Sequence, residues 1–271
     1  MYGAYWEDFN LPIKKGDFIS IDFVAKIKET GETFDTTLQD VAKKEHLFRE
    51  GYVYEPMLVV VGDGWVLKGL DDELVGLEPN KPSTIELSPA KAFGPRDPGK
   101  LKLIPLRRFK TEDPTPQPGR TIEIDGKLAV VRSVGAGRVQ VDFNPPLAGK
   151  TLVYELTVKR VLESKDEKIK ALIHRRIQAF PLEKFGLKLA EKEASIEIPE
   201  EAFLMEGLQY AKRGIATDIQ KYFPEVESIA FIEAFKRKPP VSEPKLKPAQ
   251  ASEASAKPAS IVSGEKVQNS Q

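Results

Sequence analysis

The sequence predicts an α+β fold with three parts: an antiparallel sheet served by a single helix, a small β-rich insertion, and a C-terminal α/β segment. Three observations predict it. Residues 18–28 alternate apolar and polar, with Ile19, Ile21, Phe23, Ala25 and Ile27 on one side and Ser20, Asp22 and Lys26 on the other. That is the period of a half-buried strand. Leu67, Leu70, Leu74 and Leu77 repeat at helical spacing instead. Between about 99 and 143 the chain changes character, passing through a proline-rich link (Pro114, Pro116, Pro118) into hairpin-like strands.

The remaining elements follow in order. Thr30-Gly31-Glu32 turns the chain after the first strand. Met57 to Val61 reads as a short buried strand, ended by Gly62-Asp63-Gly64, a turn with no GKS or GKT after it and hence no phosphate loop. Asp71, Asp72 and Glu73 are expected on the wet face of the helix that follows, and Ser83 to Leu87 as a further strand. Thr121–Ile124 and Leu128–Val134 pair through Asp125-Gly126, a tight-turn signal. Gly135-Ala136-Gly137 leads into Arg138–Phe143, and Thr151–Leu162 alternates as the last strand of the first unit. Beyond 165, Ile169, Leu172, Ile173 and Ile177 make a helical stripe, and Ser195–Ile198 a strand. Pro199 with Glu200 and Glu201 reads as the first turn of a helix striped by Leu204, Leu208, Ala211, Ile215 and Ile219. Ser228–Phe235 closes the pattern, parallel to 195–198 if the two share a sheet. From about 238 the chain is Pro, Ser, Ala, Lys and Glu, with too little to bury for order.

Composition narrows function. The 271 residues are 41% hydrophobic, and 41 basic residues balance 41 acidic ones, which offers no field for nucleic acid or an acidic membrane surface. No apolar run reaches the roughly 18 residues of a membrane span. MYGAYWEDFNLP has neither the basic start nor the apolar centre of an export signal. There is no cysteine, and His46 and His174 stand apart, so neither disulfides nor a metal site is expected, and no cofactor. The expected setting is the cytoplasm. The basic run Lys100, Lys102, Arg107, Arg108 and Lys110 has only Phe109 nearby for stacking, so it reads as a solvated edge and not an RNA site.

Five motifs in fixed order carry a family resemblance: Gly16-Asp17, GETFDTT (31–37), VGDGWVLKGLDDELVGL (61–77), SPAKAFG (88–94) and LVYELTV (152–158). Together they resemble the FKBP-type peptidyl-prolyl isomerases over about 13–98 and 144–163. The 99–143 insertion and NPPLAGKTL (144–152) resemble the SlyD-like subgroup, and the further C-terminal segment looks like the long archaeal members. The resemblance implies an antiparallel half-barrel wrapped on one helix, formed by 1–98 with 144–163. It also implies an inserted chaperone domain at 99–143, a C-terminal domain at 164–237 and a tail at 238–271.

It further implies a site. A prolyl bond rotates over about 18–20 kcal/mol because rotation breaks amide resonance. No acid, nucleophile or metal is required, only a concave apolar pocket that favours the less polar twisted amide. By the match, Asp35, Leu67, Phe93 and Tyr154 do the catalytic work: Asp35 orients neighbouring groups and the Leu67 backbone holds the substrate. Phe23, Phe34, Val59, Val66 and Leu70 bind substrate, with Leu70 at a floor where many members have Trp. Phe93 replaces the family's usual Tyr, removing a hydrogen bond worth roughly 1 kcal/mol. Residues 37–55, with Leu47, Phe48, Tyr52, Val53 and Tyr54, suggest a helical flap. In the insertion, Ile104, Leu106, Phe109, Val130, Val134, Val139 and Val141 are candidate contacts for unfolded chains, since a small sheet cannot cover both of its faces. The expected partners are unfolded proteins with X-Pro bonds, plus a second copy of the chain through the C-terminal stripes. The rival reading is a non-catalytic holdase chaperone or assembly factor with a vestigial pocket, motivated by Phe93.

Overall fold

The computed structural model describes residues 11–109 and 115–236. Lys110, Pro114 and the expected tail at 238–271 lie outside them. The chain runs β1 (Phe18–Ile27), β2 (Thr33–Thr36), α1 (Gln39–Lys44), β3 (Met57–Val60), α2 (Lys68–Leu74) and β4 (Pro82–Leu87). Then come β5 (Leu101–Pro105), β6 (Thr121–Ile124), β7 (Lys127–Gly135), β8 (Arg138–Asp142) and β9 (Leu152–Leu162). It ends with α3 (Lys165–Arg176), β10 (Gly186–Leu189), β11 (Glu193–Ile198), α4 (Leu208–Tyr222) and β12 (Ser228–Glu233).

The first sheet has the order β2-β1-β9-β4, with β3 beside the first half of β1, and every pairing in it is antiparallel. The two faces of β1 have different neighbours. Ile19, Ile21, Phe23 and Ala25 meet α2 through Leu70 and Leu74 in one apolar cluster. Phe18 joins Val60 and Leu162 in a second cluster, whose other buried members all come from the C-terminal segment. α2 lies against the Pro89–Lys91 turn because Gly69 has no side chain: a Cβ there would sit 2.4 Å from the Lys91 carbonyl oxygen. Asp71 is not on the wet face of α2. It is buried, and its carboxylate accepts from the backbone N–H of Gly62 (2.7 Å) and Gly64 (2.9 Å). The turn's unpaired donors need an acceptor and Asp71 is the nearest, which draws a charge inward.

Strands β5-β8-β7-β6 form a separate antiparallel sheet. Its two hairpins turn at Asp125-Gly126 and Ala136-Gly137, all four residues with positive φ, as a two-residue hairpin of this twist demands. Ile104, Val139 and Val141 are buried here with Ile122, Ala129 and Val131. They fill this sheet's own core, which corrects their reading as contacts for other chains. Val130, Leu106, Val134 and Phe109 keep partial exposure, and the other face presents Leu103 (60% exposed) and Leu128 (69%). Alternation identifies two faces but not which one is covered.

Where this sheet meets the first, a polar knot replaces apolar packing. The Asp142 carboxylate, 1% exposed, accepts from Arg132 (3.0 Å) and from the Asn144 backbone (2.9 Å) and side chain (2.7 Å), and pairs with Arg96. Asn144 in turn exchanges two 2.9 Å bonds with the backbone of Asp97. Burial, then the neighbouring Arg96 charge, lowers the Arg132 pKa.

The C-terminal segment opens with a capping box: Ser164 accepts from the Glu167 N–H, and the Glu167 carboxylate reaches back to the Ser164 N–H. Its sheet has the order β10-β11-β12, antiparallel then parallel, with α4 in the crossover. The expected helix from Pro199 is instead a 3-10 turn at Glu200–Ala202, and α4 begins only at Leu208. Gly207 (φ 76°) breaks the helical path, so Leu204 is 98% exposed and not part of the stripe. β10 has no counterpart in the sequence reading.

Candidate functional site

Asp35, Ala25, Tyr154 and Ile85 are successive partners across β2, β1, β9 and β4, so one rung of the sheet carries both polar groups expected at the site. The Tyr154 ring lies 5.8 Å from that of Phe23 and 6.2 Å, edge-on, from that of Phe34. Burial, then the Asp35 charge, pushes the Tyr154 hydroxyl up to about 12, which keeps it a neutral donor in the physiological range. Asp35 is exposed at the sheet margin, and its Oδ1 accepts from the Thr36 N–H at 2.9 Å. Beyond it, Thr36 donates to the Phe23 carbonyl (2.8 Å) and Thr37 Oγ1 accepts from the Phe23 N–H (2.9 Å), fastening the end of β2 to β1.

Phe23, Phe34, Val59, Val66, Leu67, Leu70 and Tyr154 all belong to one apolar cluster. Within it their positions differ. Val59 is fully buried and Leu70 nearly so, and both support the site from beneath, while Phe34, Val66 and Leu67 keep exposed surface at the rim. Phe34, Asp35 and Phe93 line a cavity of about 370 Å3 together with Leu47, Tyr52, Tyr54 and Leu147. Phe93 is 40% exposed, offering a ring face and no hydroxyl.

The cavity's outer wall is the 37–55 segment. Its helix, α1, ends at Lys44, before the aromatic residues, so the flap over the cavity is irregular and not helical. It is held by rings: Phe48 stacks on Tyr54 at 5.6 Å, and Tyr52 meets Tyr54 edge-on at 4.9 Å. The Tyr54 hydroxyl accepts from the Arg49 N–H at 3.0 Å. The density of aromatic residues was the sequence signal for this wall. Leu147 gave none.

The turn between β3 and α2, which carries Val66 and Leu67, is gripped from a distant part of the chain. The Trp65 indole N–H donates to the Tyr222 hydroxyl at 3.0 Å, and the Arg175 guanidinium stacks 3.9 Å from the Trp65 ring. Tyr222 donates to Asp63, and Lys221 donates to the same carboxylate at 2.7 Å. Burial works against the Asp63 charge, but these two donors outweigh it and hold the carboxyl below its usual range. His174 is not isolated: its Nε2 lies 2.8 Å from Glu55. Among the described residues no three metal-ligating side chains gather into a metal-holding group, and no helix is long and apolar enough to cross a membrane.

The chain is similar in sequence to known proteins. A family model described as FKBP26, IF domain matches residues 102–147, and one described as FKBP26_C-terminal matches 165–236. A short-type peptidyl-prolyl cis-trans isomerase of Methanocaldococcus jannaschii is 32% identical over 155 residues, 57% of this chain and 98% of that protein. An FKBP-type 16 kDa peptidyl-prolyl cis-trans isomerase of Escherichia coli is 30% identical over 112 residues, 40% of this chain and 74% of that one. An FKBP-type isomerase SlyD of Helicobacter pylori is 28% identical over 123 residues, 44% of this chain and 66% of that one.

Proposed function

This chain belongs to the FKBP-type peptidyl-prolyl cis-trans isomerases, and from that premise we propose that it turns X-Pro bonds of polypeptides in the cavity rimmed by Phe34, Asp35 and Phe93. The single observation that carries this reading is the rung that sets Asp35 and Tyr154 on either side of Ala25, at the edge of an aromatic cluster. The chemistry needs no proton transfer. Phe34, Phe93, Leu47 and Leu147, with Val66 in the cluster behind them, give the half-rotated amide an apolar surround, which favours it because rotation removes conjugation and polarity. The Leu67 backbone N–H is the donor that fixes the bond's position. Asp35 polarises the rim, and burial together with the Asp35 charge keeps the Tyr154 phenol behind it neutral. Val59 and Leu70 hold the floor.

The division into 1–98 with 144–163, 99–143, 164–237 and a tail is part of the same reading, supported by the family matches at 102–147 and 165–236. So is a chaperone role for the insertion. Its contact face is better drawn from Leu103, Leu128, Leu106 and Val134, with Val130 and Phe109, than from the buried valines. A homodimer through 164–237 loses its original motive, because Ile169, Leu172, Ile173, Leu208, Ile215 and Ile219 are buried within the chain. The most exposed apolar residues left for a second copy include Leu204 and Tyr210, so Tyr210→Asp should lower the sedimenting mass of a dimer formed there. The M. jannaschii relative supports a place near the archaeal members, and a cytoplasmic setting accords with the cysteine-free sequence.

The decisive assay is protease-free turnover of an X-Pro tetrapeptide. Wild type should exceed the uncatalysed rate, and Asp35→Ala should lower kcat/KM at least tenfold, about 1.4 kcal/mol of lost transition-state stabilisation. Both proteins at the uncatalysed rate would favour the holdase reading, whose motive is the missing hydroxyl at Phe93.

A further inference from the structure

Beside the isomerase cavity lies a larger one of about 560 Å3, built by the outer face of the first sheet and by α3. Its floor follows a rung of that sheet: Leu58, Ser20 and Arg160 are partners across β3, β1 and β9. Its wall is the face of α3 that carries Ala171 and His174. An ion pair joins floor to wall, Arg160 to Glu167 at 2.8 Å, and a 2.8 Å hydrogen bond between Glu55 and His174 Nε2 ties α3 to the segment before β3. These contacts hold α3 over the groove. Met57, Trp65, Leu162 and Leu182 give it an apolar lining. The groove is continuous with the isomerase cavity, because Asp35, Thr36 and Tyr52 line both.

We infer that this groove is a second substrate subsite, which takes apolar residues flanking the prolyl bond of an extended unfolded chain. The inference rests on the isomerase reading for the position of that bond. A strand of polypeptide entering past Asp35 reaches the trough under α3 next, since the two cavities share that residue. A groove of this size and lining is typical of sites that bury most of a small ligand. The C-terminal segment, through α3, thereby becomes part of the enzyme's specificity. A tetrapeptide is too short to reach it, and an unfolded protein is not.

The test compares three substrates with the same X-Pro core: the tetrapeptide, a longer peptide flanked by Gly and Ser, and one of equal length flanked by Leu and Phe. For wild type, kcat/KM should be at least fivefold higher for the Leu/Phe peptide than for the other two, with the gain in KM. Ala171→Trp, which fills the groove, should erase that gain and leave tetrapeptide turnover within twofold of wild type. Ala171→Leu, a smaller insertion, should erase part of it. A wild type that does not discriminate between the peptides, or a gain that survives in both variants, would overturn the inference. Equal loss on all substrates in both variants would overturn it too. Binding of the Leu/Phe peptide with its proline replaced by alanine, followed by calorimetry, reports on the groove without catalysis. Wild type should bind it at least fivefold more tightly than Ala171→Trp, and equal affinities would sink the subsite. Tetrapeptide turnover at the uncatalysed rate would instead sink the isomerase reading alone.

Discussion

The insertion and the C-terminal segment meet the same sheet in opposite ways. The C-terminal segment shares a core with it: Phe18, Val60 and Leu162 belong to the apolar cluster of α3 and α4, and Phe18 meets Tyr222 edge-on at 5.0 Å. The inserted sheet keeps a small core of its own and touches its host through Asp142, Asn144, Arg96 and Asp97. Apolar surface is non-directional and binds two parts into one cooperative body. A charged knot holds only in one geometry, and it fails if a single member is lost. The difference teaches that one appendage is fused to the isomerase sheet and the other is hinged from it.

The sharpest way to break this comparison is Phe18→Ala. Emptying a large buried site should cost about 3–5 kcal/mol. Urea unfolding followed by far-ultraviolet circular dichroism and by tryptophan fluorescence should shift together. A loss below about 1 kcal/mol, or two separated transitions, would mean the shared core does not couple the two parts. Next, Asp142→Ala should cost roughly 2 kcal/mol, below the range for a fully buried pair because both arginines are partly exposed. Its effect should be local: faster amide exchange across 101–142, with tetrapeptide turnover unchanged. Faster exchange in β1 and β9 as well would remove the hinge.

A third test is set by pH. The Tyr154 pKa is raised to about 12 in the fold, against about 10 unfolded, so the folded state holds its proton more tightly. The resulting stability is complete below about pH 10 and is lost as pH rises towards about 12, on the order of 2 kcal/mol. Tyr154→Phe should lack that alkaline limb in thermal melts. The smallest effect is expected from Tyr222→Phe, which keeps the ring against Phe18 but drops the hydroxyl between Trp65 and Asp63. It should cost about 1 kcal/mol and shift Trp65 fluorescence. An unchanged spectrum would show that the grip on the 61–67 turn is made by Arg175 and Lys221 alone.

The parts of the molecule legible in sequence are those whose signal is local. The alternation of β1 and β9, the Asp125-Gly126 hairpin and the 165–176 helix are each written within a dozen residues. The family motifs carried the rest of the site, and Phe23, Phe34, Leu67, Leu70 and Tyr154 do share one cluster. What escaped depends on residues far apart. Trp65 and Tyr222 are 157 positions apart, and nothing near either predicts their bond. Asp71 resembled its acidic neighbours because its partners, two backbone N–H groups, leave no mark in a sequence. In the inserted sheet both faces carry aliphatic residues, so the period was readable while the choice of buried face was not. Gly207 was passed over because the apolar stripe continues through it in number though not in space.

The order of strands has a consequence for how the protein is made. β9 lies at the middle of the first sheet, between β1 and β4, yet it is the last of that sheet's strands in the chain. On the ribosome the N-terminal strands therefore wait, with an open gap where β9 will go, while the neighbouring hairpins of 121–142 close through short-range contacts. The isomerase sheet is sealed only when residue 162 has emerged, by which time the inserted sheet is already formed. A prolyl isomerase thus leaves the half of its own chain that carries the candidate site exposed to misfolding for most of its synthesis.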